Sequence, residues 1–143
     1  DPLLPNQDNS TPLMVAAGVG TRSNTEDAGT ATKNQVFEAV KVALELGNDL
    51  DAVDDRGETA MHGAAYKNLP AVVQFLSEKG SNIEIWNRNN KNGWTPLRIA
   101  VGIHRGMNLR SSPEAATALY QVMQAAGVST ELEAERVISG ATN

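Results

Sequence analysis

The chain has 143 residues, a net charge of −5 and no cysteine. This length fits a single domain, and the lack of cysteine excludes disulfides, thiolate nucleophiles and zinc–cysteine sites. Hydrophobic residues make up 41% of the chain but aromatic residues only 4%, so a core has to be built from Ala, Val, Leu, Ile and Met. Such small side chains suit closely packed helices better than a deep ligand cavity.

Charge and hydropathy also exclude some classes of binding partner. The sequence has no basic patch of the kind that a general nucleic-acid binder carries, no apolar run near the ~20 residues of a membrane-spanning helix and no signal peptide. We therefore expect neither a nucleic-acid partner nor membrane insertion. The compartment stays open between cytoplasm and periplasm or secretion, because the chain starts at Asp1 rather than Met and is expected to be processed, trimmed or incomplete.

One short pattern occurs three times along the chain. It consists of a Thr, then Pro or Ala, then a large apolar residue, with Ala near its end, and it covers residues 10–17, 58–65 and 94–101. The hydroxyl of Thr11, Thr59 or Thr95 can cap the first free N–H groups of a helix. Pro is tolerated at the next position, where its missing N–H costs nothing. The pattern therefore predicts a helix that begins after each of these Thr residues.

A polar turn precedes each of these helix starts. The turns read Asn6-Gln7-Asp8-Asn9, Asp54-Asp55-Arg56-Gly57 and Asn90-Lys91-Asn92-Gly93. Asn9, Gly57 and Gly93 occupy the same slot, and Asn and Gly are the residues that best tolerate a left-handed backbone. We therefore predict a positive φ at all three positions.

Each unit continues with a second helical stretch that stops at Gly. These stretches run over Gln35–Leu46, Pro70–Lys79 and Pro113–Ala126, and a Gly just past a helix end is a common left-handed cap. From the Thr to the closing Gly, the first unit is 15 residues longer and the third unit 11 residues longer than the middle one. We place these insertions between the paired helices, at about residues 20–32 and 103–111, as loops.

The succession of polar turn, Thr-Pro-Leu-His-type helix, second helix and closing Gly resembles the ankyrin repeat. The ankyrin period is about 33 residues, whereas Thr59 to Thr95 is 36 and Thr11 to Thr59 is 48. The resemblance covers residues 1 to about 128 and looks closer to bacterial ankyrin proteins than to eukaryotic ones. It implies that His62, at the His of the motif, bridges neighbouring turns by hydrogen bonds.

The fold that this resemblance implies is an all-α helical solenoid of stacked helix-turn-helix pairs with β-hairpin-like fingers. We expect a single domain over residues 1–143, with repeats at about 1–48, 49–84 and 85–128. Residues 129–143 are expected to form a C-terminal capping helix, because Thr130 and Glu133 stand at capping-box spacing.

The implied function is a protein–protein interaction scaffold that uses a concave face, with no catalysis and no cofactor. No Gly-x-Ser-x-Gly elbow is present and only two His residues could act as a base. The acidic stretch 49–55 fails the spacing of an EF-hand, so no metal site is expected. The alternative is a regulatory or assembly module of a larger enzyme or complex.

The finger before the third helix start holds the first set of partner-binding candidates. It is three residues longer than the finger before it and carries Trp86, Arg88, Lys91 and Trp94. Trp and Arg are enriched at binding hot spots. The alternative is that both rings pack on neighbouring turns.

The two insertions hold the second set. They flank the short loop of the middle unit, and the resulting notch would have Arg22, Asp27, His104, Arg105 and Arg110 as its polar walls. The alternative is that insertions accumulate in loops because long loops cost little. A lone His in a loop, such as His104, is usually just solvated.

The N-terminal end carries one further expectation. Asp1 lies ten residues before Thr11, as Asp49 lies ten residues before Thr59. The first residues therefore align with a finger, and the first unit has no polar outer helix of the kind that caps a repeat array. We expect upstream repeats, or a partner or second copy packed on this end.

Overall fold

The computed structural model describes residues 3–19, 33–102 and 111–130. Within these ranges the chain forms helices and turns and no strand, which confirms the all-α solenoid. The helices are α1 (Pro12–Ala17), α2 (Lys33–Glu45), α3 (Ala60–Tyr66), α4 (Pro70–Glu78), α5 (Ile83–Trp86), α6 (Pro96–Val101) and α7 (Pro113–Ala125). Helices α1, α3 and α6 stack in one layer, and α2, α4 and α7 stack in a second layer behind them. Most of the predicted capping helix lies outside the described residues.

The three predicted helix starts are confirmed. The Oγ1 atoms of Thr11 and Thr95 each accept a hydrogen bond of 3.2 Å, from the amides of Met14 and Arg98. Thr59 occupies the equivalent N-cap position of α3, where its amide donates to Nδ1 of His62 over 3.1 Å. These bonds satisfy amides that have no partner inside the helix.

The predicted left-handed residues are confirmed as well. Asn9, Gly57 and Gly93 have φ angles of 61°, 76° and 84°. Each of the predicted second helices is present, with ends that differ from the prediction by no more than two residues, and a Gly of positive φ follows each of them.

The two long units differ from the middle one partly in their second helices, and the loops predicted at about 20–32 and 103–111 lie almost entirely outside the described residues. Helices α2 and α7 have 13 residues each, whereas α4 has nine. Four of the additional residues in each outer unit therefore extend its second helix by about one turn. The remaining inserted residues fall largely outside the described ranges.

Small residues allow the first helices to stack closely. The core is built mainly from Ala, Val, Leu, Ile and Met, as predicted, and it runs through the described units without a break. A close approach of main chains occurs at Gly63 in α3, where an added Cβ would lie 2.7 Å from the amide nitrogen of Val19 and 2.9 Å from the carbonyl oxygen of Ala17. Gly63 therefore fixes how near α3 can come to the end of α1.

The short loop between α3 and α4 ties the second unit to the third. Asn68 lies there with a φ of 56°. Its Oδ1 accepts a 2.9 Å hydrogen bond from the amide of Ala115, and its Nδ2 donates a 2.7 Å hydrogen bond to Oε2 of Glu114. This contact caps the first turn of α7 from a neighbouring repeat and lowers the pKa of the Glu114 carboxyl. The sequence analysis missed this role, although Asn in a tight loop is a signal for a left-handed residue.

We predict that Gly63→Ala destabilises the protein, although Ala is the better helix former by about 1 kcal/mol. The new methyl group would meet main-chain atoms of Ala17 and Val19, which cannot rotate away. We expect a net loss of about 1–3 kcal/mol in the free energy of unfolding, measured by urea denaturation. Gly80→Ala is the control, because its Cβ would have no atom within 4 Å and only its φ of 92° opposes it. An equally stable Gly63→Ala variant would show that the close approach is not a constraint.

Candidate functional site

The first residue of each polar turn holds the turn closed. Oδ1 of Asp54 accepts two hydrogen bonds of 2.9 Å, from the amides of Arg56 and Glu58. Asn6 and Asn90 make the equivalent pairs of bonds in the other two turns. A short polar side chain that binds its own backbone in this way stabilises a turn locally. The three turns therefore share one geometry.

Main-chain hydrogen bonds link one turn to the next. The amide of Asp55 donates to the carbonyl oxygen of Asp8 over 2.8 Å, and the amide of Lys91 donates to that of Arg56 over 2.9 Å. The two bonds join equivalent positions, since the second residue of each turn donates to the third residue of the turn before it. The turns thus form a ladder along one edge of the solenoid.

Buried polar side chains reinforce the ladder. The Ser10 hydroxyl donates to Oδ2 of Asp54 over 2.8 Å, and Nδ2 of Asn90 donates to Oε2 of Glu58 over 3.1 Å. The hydroxyl of Tyr66 lies 3.4 Å from the same Asn90 nitrogen, and burial raises the pKa of this phenol above its usual range. These groups are buried, and their hydrogen bonds to one another offset the free-energy cost of removing them from water.

His62 connects the start of α3 to the finger that follows α4. Its Nδ1 accepts from the amide of Thr59 over 3.1 Å, so Nε2 carries the proton and donates to the carbonyl oxygen of Arg88 over 3.0 Å. The role that the resemblance implied is confirmed in these contacts. Burial, only partly offset by the carbonyl of Arg88 and the charge of Asp54, lowers the pKa of His62 from 6.5 to about 4.

We predict that the neutral state of His62 makes stability depend on pH. Below pH 6.5 the unfolded chain takes up a proton on this imidazole and the folded chain does not, so stability falls as the pH drops towards 4 and levels off below it. The slope is about 1.4 kcal/mol per pH unit, and the total is on the order of 3 kcal/mol. Urea denaturation between pH 4 and pH 7 measures it.

His62→Gln is the control for this pH dependence, because Gln keeps polar atoms at the site but does not titrate. Carboxylates contribute to both proteins, so the difference between the two pH profiles isolates the imidazole. Identical slopes in the two proteins would contradict a neutral His62.

The third finger differs from the predicted simple hairpin. Its three additional residues accommodate α5, a single turn capped by the side chain of Asn82. Trp86, at the end of α5, is only 2% exposed and shares a closed cleft with Leu50, Met61 and Leu76. This ring is part of the core, as the alternative expectation stated, and offers no surface to a partner.

The other candidates of the third finger remain accessible. Arg88 and Lys91 are exposed, and Trp94 is partly buried against the core. Nε of Arg88 donates to the carbonyl oxygen of Glu84 over 2.8 Å, which orients the guanidinium on the outside of α5. Two cations and one partly exposed ring thus lie on the same finger, and we call these three residues the third-finger rim (Arg88, Lys91 and Trp94).

The second set of candidates belongs to the two insertions. Arg22, Asp27, His104, Arg105 and Arg110 lie outside the described residues. In the part of the chain that is described, no group of three or more His, Asp or Glu side chains is arranged to hold a metal ion. No helix in that part is both long and apolar enough to span a membrane.

The family profile described as "Ankyrin repeats (3 copies)" matches residues 29–120. The chain therefore belongs to the ankyrin-repeat family. Repeats of this family generally mediate protein–protein interaction and are typically non-catalytic. The match begins after α1, so α1 is assigned to a first repeat by its Thr cap and by its stacking on α3.

Similar proteins come from viral, bacterial and eukaryotic sources. Ankyrin repeat protein 14 of vaccinia virus is 34% identical over 74 residues, which are 52% of this chain and 30% of that protein. A putative ankyrin repeat protein of Borreliella burgdorferi is 31% identical over 67 residues, or 47% and 29% of the two chains. A glycerophosphocholine phosphodiesterase of Candida albicans is 36% identical over 67 residues, or 47% and 6%. The chain spans less than a third of each relative, and the expected bacterial type stays a prediction.

Proposed function

We propose that this chain is a protein-binding scaffold without catalytic activity, and that its partner contacts the third-finger rim. The observation that carries the proposal is the combination of exposed side chains with a fixed backbone. Asn90 closes the turn from within, and His62 holds the carbonyl oxygen of Arg88 from the neighbouring repeat. A surface that is ordered before binding loses less conformational entropy when the partner arrives.

The charge of the fingers indicates the chemistry of the partner. Residues 48–59 contain five carboxylates and a single cation, Arg56, whereas residues 81–95 contain Arg88 and Lys91 against one carboxylate, Glu84. The third finger is therefore the cationic part of an edge that is otherwise acidic. We infer that the partner places an anionic segment on this rim, since complementary charge guides association and suppresses wrong partners.

We predict that Arg88→Ala weakens partner binding by at least ~1 kcal/mol, or about fivefold, with a change in stability below about 0.5 kcal/mol. The substitution removes the guanidinium and leaves the carbonyl oxygen that His62 uses. Proteins captured from a lysate of the native host on the immobilised chain are compared between the wild type and the variant. Calorimetry with the identified partner then gives the affinity, and thermal denaturation gives the stability.

Lys79→Ala is the matched control for the rim. Lys79 is also an exposed cation, but it follows α4 and lies over the ring of Phe75 instead of on a finger. We expect it to leave binding unchanged. A partner that is lost equally from both variants would point to general charge attraction and against a specific rim.

The insertions are proposed as a second part of the binding surface, through Arg22, His104, Arg105 and Arg110. Shortening both insertions to the length of the α3–α4 loop should reduce affinity without abolishing the fold, because the middle unit shows that the short connection suffices. Unchanged affinity in this double deletion would remove the insertions from the proposal.

A second candidate function is a regulatory or assembly module of a larger enzyme or complex. The similarity to a part of a phosphodiesterase favours it, because there a segment like this one belongs to an enzyme chain. The captured partner separates the two candidates. An enzyme whose activity changes when the chain binds would favour the regulatory module, and a partner without such a change would favour the scaffold.

A further inference from the structure

The outer side of α1 and α2 carries an apolar groove. It has a volume of 390 Å³ and is lined mainly by Pro12, Ala16, Ala39, Val42 and Leu46. Val15 beside it is 48% exposed and Val42 is 49% exposed. No described residue covers these side chains, and exposed apolar side chains clustered in this way mark an interaction surface.

A comparison of the first helix of each unit shows which surface of the later units corresponds to this groove. Val15 stands four residues after Thr11, as Gly63 and Ile99 stand four residues after Thr59 and Thr95. Gly63 and Ile99 are buried, and Gly63 packs against the main chain at the end of α1. The position of Val15 is therefore buried in both later units, and in the second unit it meets the preceding repeat.

The second helices give the same result independently. Counted back from the closing Gly, Ala39 is equivalent to Val72 and Leu119, and both of these are buried although Ala39 is exposed. Val42 is equivalent to Phe75, which is half-buried and meets the ring of Phe37 edge-on in the preceding repeat at 5.3 Å. The groove is thus the first unit's version of a junction between repeats.

At this same end the ladder of turns begins with an amide that no described residue accepts from. The amides of Asp55 and Lys91 donate to the turn before them. The equivalent amide is that of Gln7, which makes no such hydrogen bond to a described residue and lies on an exposed residue. A segment that packs on this end therefore has to supply two things. It needs a carbonyl oxygen from a turn for the amide of Gln7, and an apolar surface from a pair of helices for the groove.

We propose that the α1–α2 face docks a further ankyrin-type repeat of the same polypeptide, stacked head to tail before the first unit. A head-to-tail arrangement places a turn carbonyl against the amide of Gln7, as at the two junctions of the chain, whereas a symmetric dimer pairs this face with itself and adds no such preceding turn. At both junctions in the chain the closing Gly runs directly into the next finger. A repeat of the same polypeptide in this place would reach the first finger by the same direct connection, so the covalent link costs little entropy.

The opposite face of the third unit makes a second copy a poor occupant. Arg98 of α6 stands at the position of Met14 and His62, which are buried at the two junctions of the chain. Stacking one chain on another would bury this guanidinium where the chain has neutral side chains. An unpaired buried charge is costly, so a repeat with a neutral residue at that position fits better.

A fusion tests the proposal with the chain's own parts. A copy of residues 49–81 is joined directly before Asp1, which keeps the register because Asp1 is equivalent to Asp49. We expect one cooperative unfolding transition with a Tm at least ~5 °C higher than that of the unfused chain. We also expect the amide of Gln7 to become protected from hydrogen exchange in the fusion.

Val42→Glu provides the internal control in both proteins. In the unfused chain this position is exposed, so the Tm should stay the same; in the fusion the substitution should cancel most of the gain. Asn34→Glu, also exposed on α2 but outside the groove, should have no effect in either protein. A fusion with an unchanged Tm and an unprotected Gln7 amide would overturn the proposal. An unfused chain that sediments as a dimer, and as a monomer after Val42→Glu, would assign the face to a second copy instead.

Discussion

A single main-chain hydrogen bond at each junction sets the register of the described stack. The amide of Asp55 reaches Asp8, and the amide of Lys91 reaches Arg56, always from the second residue of one turn to the third residue of the turn before it. A shift of one turn by one residue would break such a hydrogen bond, because the donor amide and the acceptor oxygen would no longer lie opposite each other. Every turn must therefore place the same main-chain atoms at the same height. The Asn or Asp at the start of each turn and the left-handed residue at its end are what makes the turns identical enough to stack.

The features that repeat along the chain were predictable from sequence, and those that occur once were not. The Thr caps and the positive φ angles of Gly57 and Gly93 follow from local chemistry, which needs no knowledge of neighbours. Burial of Trp86 depends instead on α5, a single turn that forms because Asn82 caps it. A helix this short has no hydrophobic periodicity from which the sequence could predict it. The bond from Asn68 to the start of α7 joins residues 47 positions apart, so only the packed structure reveals it.

The third-finger rim was also predictable from the sequence only in part. Its composition and charge could be read from the sequence, but its rigidity could not, since that depends on the buried imidazole of His62 and the carbonyl of Arg88. Of the four residues singled out on this finger, Arg88, Lys91 and Trp94 keep some exposure, and one ring has become core. The sequence alone therefore does not tell whether a hydrophobic side chain near a finger is exposed or buried. One short helix decides whether the ring lies on the surface or packs in the core.

The ladder and the contact of His62 use main-chain atoms of three finger residues and not their side chains. Arg56 gives its carbonyl oxygen, Arg88 gives its carbonyl oxygen and Lys91 gives its amide. Each of these contributions is available from nearly any amino acid, so mutation at positions 88 and 91 can proceed without loss of the fold. Natural variation can therefore change the side chains along this edge while the scaffold stays intact. The same separation makes these two positions suitable for randomisation when a new specificity is selected in the laboratory.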